Sequence, residues 1–349
     1  MGNAADYIPA LKYGHKVYPQ SVISGNTPVE TGNVWFVDGD KSTGTSGGRT
    51  WEDAFTEAQF DGNISALGVT AGDVVYVAGR TMAATDTDPI SYTTNLTINV
   101  PQVSIIGVSR GRTQGGLPQL KVGGTTTQAI IRVRAPGVMI ANIGINGSGA
   151  TGGGISLDDD GGTTYAAFGW SVLGCHFKNC VGTTATNAAT GGAVQISSTG
   201  GAWQGLLAGN RFYKNVGDFV AKGTTGSVPQ DIVIEDNIFS GPAASVDCNL
   251  YVAADGINGL IVKDNIFTGK PAIGSGTNAK YMVFGAGTVG ILANNYFASI
   301  TGEAETDVTF GASGAGATIP TTMFISGNYG ETGAANTNAG EQTSDIFRT

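Results

Sequence analysis

Ile232-Val-Ile-Glu-Asp-Asn-Ile-Phe239 and Leu260-Ile-Val-Lys-Asp-Asn-Ile-Phe267 are two copies of one motif, apolar-x-apolar-x-x-Asn-x-Phe. Weaker copies set their apolar, slot and closing residues at Leu207/Asn210/Phe212, Leu292/Asn295/Phe297 and Ile325/Asn328/Gly330. Two earlier ones read Ile140/Ile143/Ile145 and Val172/Cys175/Phe177. The seven slot residues are separated by 32, 35, 27, 28, 30 and 33 positions. Self-similarity at roughly 20 to 50 residues is the signature of a stacked repeat. A single repeat cannot bury its own apolar face, so neighbours stack and share a core. The motif therefore predicts an all-β chain wound as a β-solenoid, each copy supplying one coil.

Within a strand, residues two apart point to the same side. Ile232 with Ile234, Leu260 with Val262, and Met323 with Ile325 are thus expected to face inward. The Asn then falls at a bend between two strands. Stacked coil on coil, Asn210, Asn237, Asn265, Asn295 and Asn328 would form an amide ladder along the axis. An Asn pointing outward would instead be a solvated turn residue. Phe212, Phe239, Phe267 and Phe297 return to the core as a column. The earlier slots hold Ile143 and Cys175, so the ladder is expected to begin near Asn210.

Composition agrees with this class. Gly makes up 56 of 349 residues, charged residues are 13% and apolar residues 41%. The charged share is about half the usual one, and there is no G-x-y period for collagen. The apolar share is too high for a disordered chain. The formal net charge of −9 argues against nucleic acid, which needs clustered Lys and Arg. No apolar run approaches the roughly 18 residues of a membrane span. Met1-Gly-Asn-Ala-Ala-Asp-Tyr7 has neither the basic region nor the apolar core of a secretory signal. Cys175, Cys180 and Cys248 are an odd number without zinc-type spacing, and read as reduced core or turn residues of a chain made in a cytoplasm.

Four segments follow. Residues 1–31 form an N-terminal arm whose Tyr7, Ile8, Leu11, Tyr13, Val17 and Tyr18 lack a core of their own. The arm either packs on the solenoid's own end, or is a frayed terminus, or docks on a partner with its tyrosines as anchors. Residues 32–81 read as a cap. It has the strand Val34-Trp-Phe-Val37 and a short helix from Trp51 to about Leu67. Thr50 is that helix's N-cap, and Trp51, Ala54, Phe55, Ala58 and Phe60 are its apolar set. A second strand lies in Ala71-Gly-Asp-Val-Val-Tyr-Val-Ala-Gly79. Residues 82–330 hold the coils and 331–349 a polar tail.

A strand ending Phe-Val-Asp, a Gly-rich loop, a Trp/Phe helix and then Gly-Asp-x-Val-Tyr-Val resembles the N-terminal cap of right-handed parallel β-helix proteins of the pectin-lyase-like superfamily. Val103-Ser-Ile-Ile-Gly-Val-Ser-Arg-Gly-Arg112 resembles their first coil, and the Asn-x-Phe repeats their later ones. The resemblance spans about residues 33–330. It implies a single-stranded right-handed parallel β-helix, and leaves function open because the superfamily includes lyases, hydrolases, tailspikes and inert virion parts.

Residues with chemical potential are scattered. Asp236 and Asp264 hold one place in adjacent motifs, about 4.8 Å apart if their coils stack. That suits a glycosidase acid pair, or two turn aspartates bonding nearby amides. Leu157-Asp-Asp-Asp-Gly-Gly162 offers Asp158, Asp159 and Asp160 to a hard cation, or is a solvated loop. Arg132 and Arg134 share one strand face. Cys175 and His176 are sequence neighbours on a strand and so point apart, which disfavours a nucleophile pair. The Asn-Thr-Asp, Gly-Asp-Asp, Gly-His-Gly and Arg-Ile-Lys elements of polygalacturonase-like enzymes are absent. No catalytic, cofactor or metal set is expected.

The short aromatic arm leading straight into a Phe-Val-Asp cap also resembles phage head β-helix proteins. That resemblance implies a structural virion protein of a tailed bacteriophage, a capsid decoration or stabilising subunit. It would be made in the bacterial host cytoplasm, trimeric, and bound to the major capsid protein or other virion proteins. The alternatives are a tailspike-like depolymerase of host surface glycan and a non-catalytic glycan-binding protein.

Overall fold

A computed structural model describes residues 32–41, 46–81, 90–108, 117–157, 167–184, 187–197, 202–223, 228–240, 248–268, 280–297, 310–311 and 317–330. The arm residues Tyr7 to Tyr18, the Asp158–Asp160 turn and the tail lie outside them. The described chain is all-β. Its strands form three long parallel sheets of ten, nine and nine strands, the arrangement of a β-solenoid.

Each coil visits the three sheets in turn. The coil after Gln102 runs from strand Ser104–Val108 in the first sheet to Gln119–Val122 in the second and Ile131–Val133 in the third. The next coil re-enters the first sheet at Met139–Ala141. The parallel register sets like residues over one another. Val172 pairs with Leu207, Leu207 with Ile234, Ile234 with Val262, Val262 with Leu292 and Leu292 with Ile325. All six are buried and form one wall of the core. In the second sheet the rings of Phe177, Phe212, Phe239, Phe267 and Phe297 stack at centroid spacings of 4.9, 4.9, 4.8 and 4.7 Å. These spacings equal the distance between neighbouring strands, so every coil must present the same ring at the same place.

The first end is closed by strand Val34–Val37, which pairs with Val74–Ala78. Asp73 ties the two together. Its carboxylate is buried and accepts hydrogen bonds from Trp35 Nε1 (2.7 Å), the Thr70 backbone N–H (2.7 Å), the Thr70 hydroxyl and Asn33. Burial by itself pushes its pKa up. The donors from Thr70, Trp35 and Asn33 outweigh that and hold it below the ordinary carboxylate value.

The cap helix expected over Trp51 to Leu67 does not form. The chain makes turns there, and only Ile64–Leu67 is helical, as a single 3₁₀ turn. Backbone pairing explains the difference. The Phe55 N–H donates to the Phe36 carbonyl and the Asp38 N–H donates to the Phe55 carbonyl, claiming groups that a helix would need. Ala54, Phe55 and Phe60 are buried, whereas Trp51 and Ala58 are exposed. Trp51 instead packs against Phe36 from outside, with ring centroids 4.7 Å apart. Thr50 caps only a turn, its hydroxyl accepting from the Asp53 N–H at 3.1 Å.

Candidate functional site: the corners and outer faces of the solenoid

At the bend between the first and second sheets, Asn210, Asn237, Asn265, Asn295 and Asn328 are buried. Each Nδ2 donates to the Oδ1 of the next at 2.9 to 3.0 Å. That Oδ1 also accepts the backbone N–H of the preceding Asn. Each Nδ2 donates as well to a carbonyl of an earlier strand, from Val172 for Asn210 to Leu292 for Asn328. The ladder thus satisfies backbone groups that the bend frees from sheet pairing. Cys175 ends it, its N–H donating to Asn210 Oδ1 at 2.8 Å. These side chains are sealed inside and reach no ligand.

The residue before each slot has a left-handed backbone: Asn142, Gly174, Gly209, Asp236, Asp264, Asn294 and Gly327, all with φ between 54° and 68°. Gly, Asn and Asp tolerate that region best. Asp236 and Asp264 (φ 57° each) belong to this column, so their residue type has a conformational cause. Asp264 Oδ2 also lies 3.5 Å from Lys263 Nζ, which binds Glu235 at 2.7 Å.

Cys175 and His176 face opposite ways. Burial pushes the Cys175 thiol up to about 12. Burial, helped by the nearby Arg211 charge, brings the His176 imidazole down to about 4. At neutral pH the pair is a protonated, sealed thiol at the bend and a neutral imidazole on the strand His176–Lys178 that follows it, unsuited to nucleophilic attack. All three cysteines are buried. Arg132 lies on the outer side of the third sheet, level with Ser156 and Gln195. Among the described residues no group of three or more His, Cys, Asp or Glu could hold a metal.

Three features went unread in the sequence. One is the left-handed column itself, visible as Gly, Asn or Asp before every slot. The second is Asp218, fully buried and accepting from Asn215 Nδ2 (2.9 Å) and Asn249 Nδ2 (2.7 Å). Asn215 stands three residues before it, but Asn249 comes from the next coil, 31 residues on, and that half of its setting has no local pattern. Burial raises its pKa to about 7, against the lowering pull of those two amides.

The third is the outside of the first sheet. Its outward column, by register, is Val34, Val74, Ser104, Met139, Ser171, Leu206, Val233, Ile261, Ile291 and Phe324. A second outward column carries Phe36, Tyr76, Ile106, Ala141, Leu173 and Ala208. Ile106, Met139, Ala141, Leu173 and Ala208 make a second cluster on this side that is itself buried within the chain, at 0 to 9% exposure, with Val74, Tyr76 and Leu206 packed against it. The outside of the second sheet differs. It bears Lys121, Lys178 and Arg211, with exposed Tyr213 under Lys214 at 5.1 Å, and its strands contain no Asp or Glu.

Compared with family models, curated proteins and solved structures, the chain gives no match.

Proposed function

We propose that this chain is a structural virion protein of a tailed bacteriophage, a head decoration or stabilising subunit on a right-handed pectin-lyase-like β-helix. The observation that carries this reading is how the side chains are spent. The repeated Asn and Phe residues serve the interior, and the repeated Asp236 and Asp264 serve left-handed corners, which leaves the coils spent on scaffold. The arm with Tyr7, Ile8, Leu11, Tyr13, Val17 and Tyr18 is the proposed attachment to the major capsid protein or a neighbour. Separated heads and tails from purified particles test it. The chain should be recovered with the heads, and recovery with tails alone contradicts it.

The second reading is a tailspike-like protein that binds or cleaves host surface glycan. It is favoured by the basic and aromatic outside of the second sheet, where Lys121, Lys178, Arg211 and Tyr213 would meet an acidic sugar chain. New reducing ends from host capsule, lost in Asp236→Asn or Asp264→Asn, would favour cleavage. Glycan binding without turnover would favour an adhesive role.

A further inference from the structure

We propose that the corner leading into the first sheet is a binding site for an uncharged sugar chain, laid along the solenoid axis across Phe168 and Trp203. The site is separate from the basic outer side of the second sheet, and it stands whether the chain sits on a head or on a tail.

Backbone hydrogen bonds define the corner. The Gln102 N–H donates to the Pro136 carbonyl, Gly137 to Phe168, Gly169 to Trp203 and Gln204 to Gln230, each at 2.8 Å. Strand pairing carries the same column on from Gln230 to Asn258. Pro136, Phe168, Trp203, Gln230 and Asn258 therefore stand in one line, about 4.8 Å apart. Phe168 is 40% and Trp203 36% exposed, and Gln230 and Asn258 are exposed beyond them. Trp203 is fixed in place, because its Nε1 donates to the Val228 carbonyl at 3.1 Å. That bond occupies the indole donor, so the ring face is what Trp203 offers a ligand.

The next residue of each coil has a left-handed backbone: Gln102 (φ 58°), Gly137 (69°), Gly169 (65°), Gln204 (55°) and Asp231 (54°). Glycine takes that conformation freely and glutamine does not. Gln102 and Gln204 thus hold exposed amides on the corner against a conformational penalty, which points to a use for the side chains. Gly137 and Gly169 form the floor between them, about 14 Å from end to end. A Cβ on Gly169 would meet nothing nearer than 3.7 Å, so the floor is open there, beside both aromatic rings.

Chemistry selects the ligand. A pyranose ring carries C–H bonds on its faces and hydroxyls around its rim. The C–H faces pack on aromatic rings, whose own faces are electron-rich. Hydroxyls both donate and accept, as side-chain amides do. The amides of Gln204, Gln230 and Asn258 are exposed, and among the described residues they make no side-chain hydrogen bond. Asp231 is the only charged residue of the two columns, so an acidic chain would meet a carboxylate there and no cation.

Calorimetric titration of the full chain with cellohexaose, maltohexaose, mannohexaose and galactohexaose tests the proposal. At least one should bind with a Kd of about 1 mM or below. Trp203→Ala should weaken that binding at least about 10-fold. Gln204→Gly should weaken it about 3-fold or more while melting is unchanged or raised, because glycine relieves the left-handed backbone. Ile266→Ser, at an exposed position of the second sheet, should leave it unchanged. No binding by any of the four, affinity that survives Trp203→Ala, or tighter binding of hexagalacturonate or a proline-rich decapeptide would overturn the proposal. Where Trp203→Ala does not fold, parental affinity in Gln204→Gly overturns it. Recovery with heads or with tails is a separate measurement, so failure here leaves the head assignment to its own test.

Discussion

Asn237 Nδ2 donates to Asn265 Oδ1 at 3.0 Å, and the Asn237 backbone N–H donates to the same oxygen at 3.0 Å. One side-chain oxygen thus closes two donors of the neighbouring coil, while Asn265 Nδ2 reaches back to the Ile234 carbonyl at 2.9 Å. Removing that side chain leaves buried donors and acceptors without partners. Asn265→Ala is expected to cost about 3–5 kcal/mol of stability. Denaturant unfolding measures it, and a loss below about 1 kcal/mol would mean that water or repacking replaces the ladder.

Asp264 is held at φ 57°. If conformation is the reason for its residue type, Asp264→Gly should be close to neutral. Asp264→Val should be less stable than the Gly variant by about 1–2 kcal/mol, because a β-branched residue resists the left-handed region. Thermal melting of the two variants compares them directly. Equal melting points would remove the conformational account of this column.

Asp218 makes stability depend on pH. Its folded pKa, about 7, lies above the unfolded value of 3.8. Its contribution is therefore complete below about pH 4 and is lost as pH rises through about 7. The shift corresponds to at most about 4 kcal/mol. Asp218→Asn removes the titration and supplies a donor for Asn249 Oδ1, which lacks a partner. The variant should gain stability over the parent above pH 7 and match it more closely at pH 4. Parallel stability profiles across this range would contradict the assignment.

His176 titrates in the opposite sense. Its folded pKa, about 4, is depressed from 6.5 by burial and by Arg211. The corresponding stability is present above pH 6.5 and is lost as pH falls towards 4. The chain has two histidines, His15 and His176, so proton resonance can follow them separately. The His176 imidazole should remain neutral at pH 5.5, and a midpoint near 6.5 would show it to be solvated.

The sequence made the inward half of the coil legible, because a parallel register repeats core residues at one position per coil. Ile234, Val262 and Leu292 recur for that reason, as do Asn237, Asn265 and Asn295. The outward half was present in the same motif and harder to read. Val233, Ile261, Ile291 and Phe324 fill places where a solvated face would carry polar residues, but only the register shows that they line one surface. The cap was misread where Trp51, Ala54, Phe55 and Ala58 imitate helical spacing, since pairing of Phe55 with Phe36 is a long-range event that periodicity cannot report. The two candidate acids looked chemical because Asp serves both catalysis and left-handed turns. Asp218 escaped notice because Asn249 reaches it from another coil, a long-range contact that local spacing does not report.

The central claim is that this solenoid is a building part of a virion head. Electron cryo-imaging of purified particles, at a resolution that separates strands about 4.8 Å apart, tests it most directly. The account predicts three-sided solenoid density on the head shell, tethered through residues 1–31. Density for this chain confined to the tail, or particles that lack the chain, would contradict it.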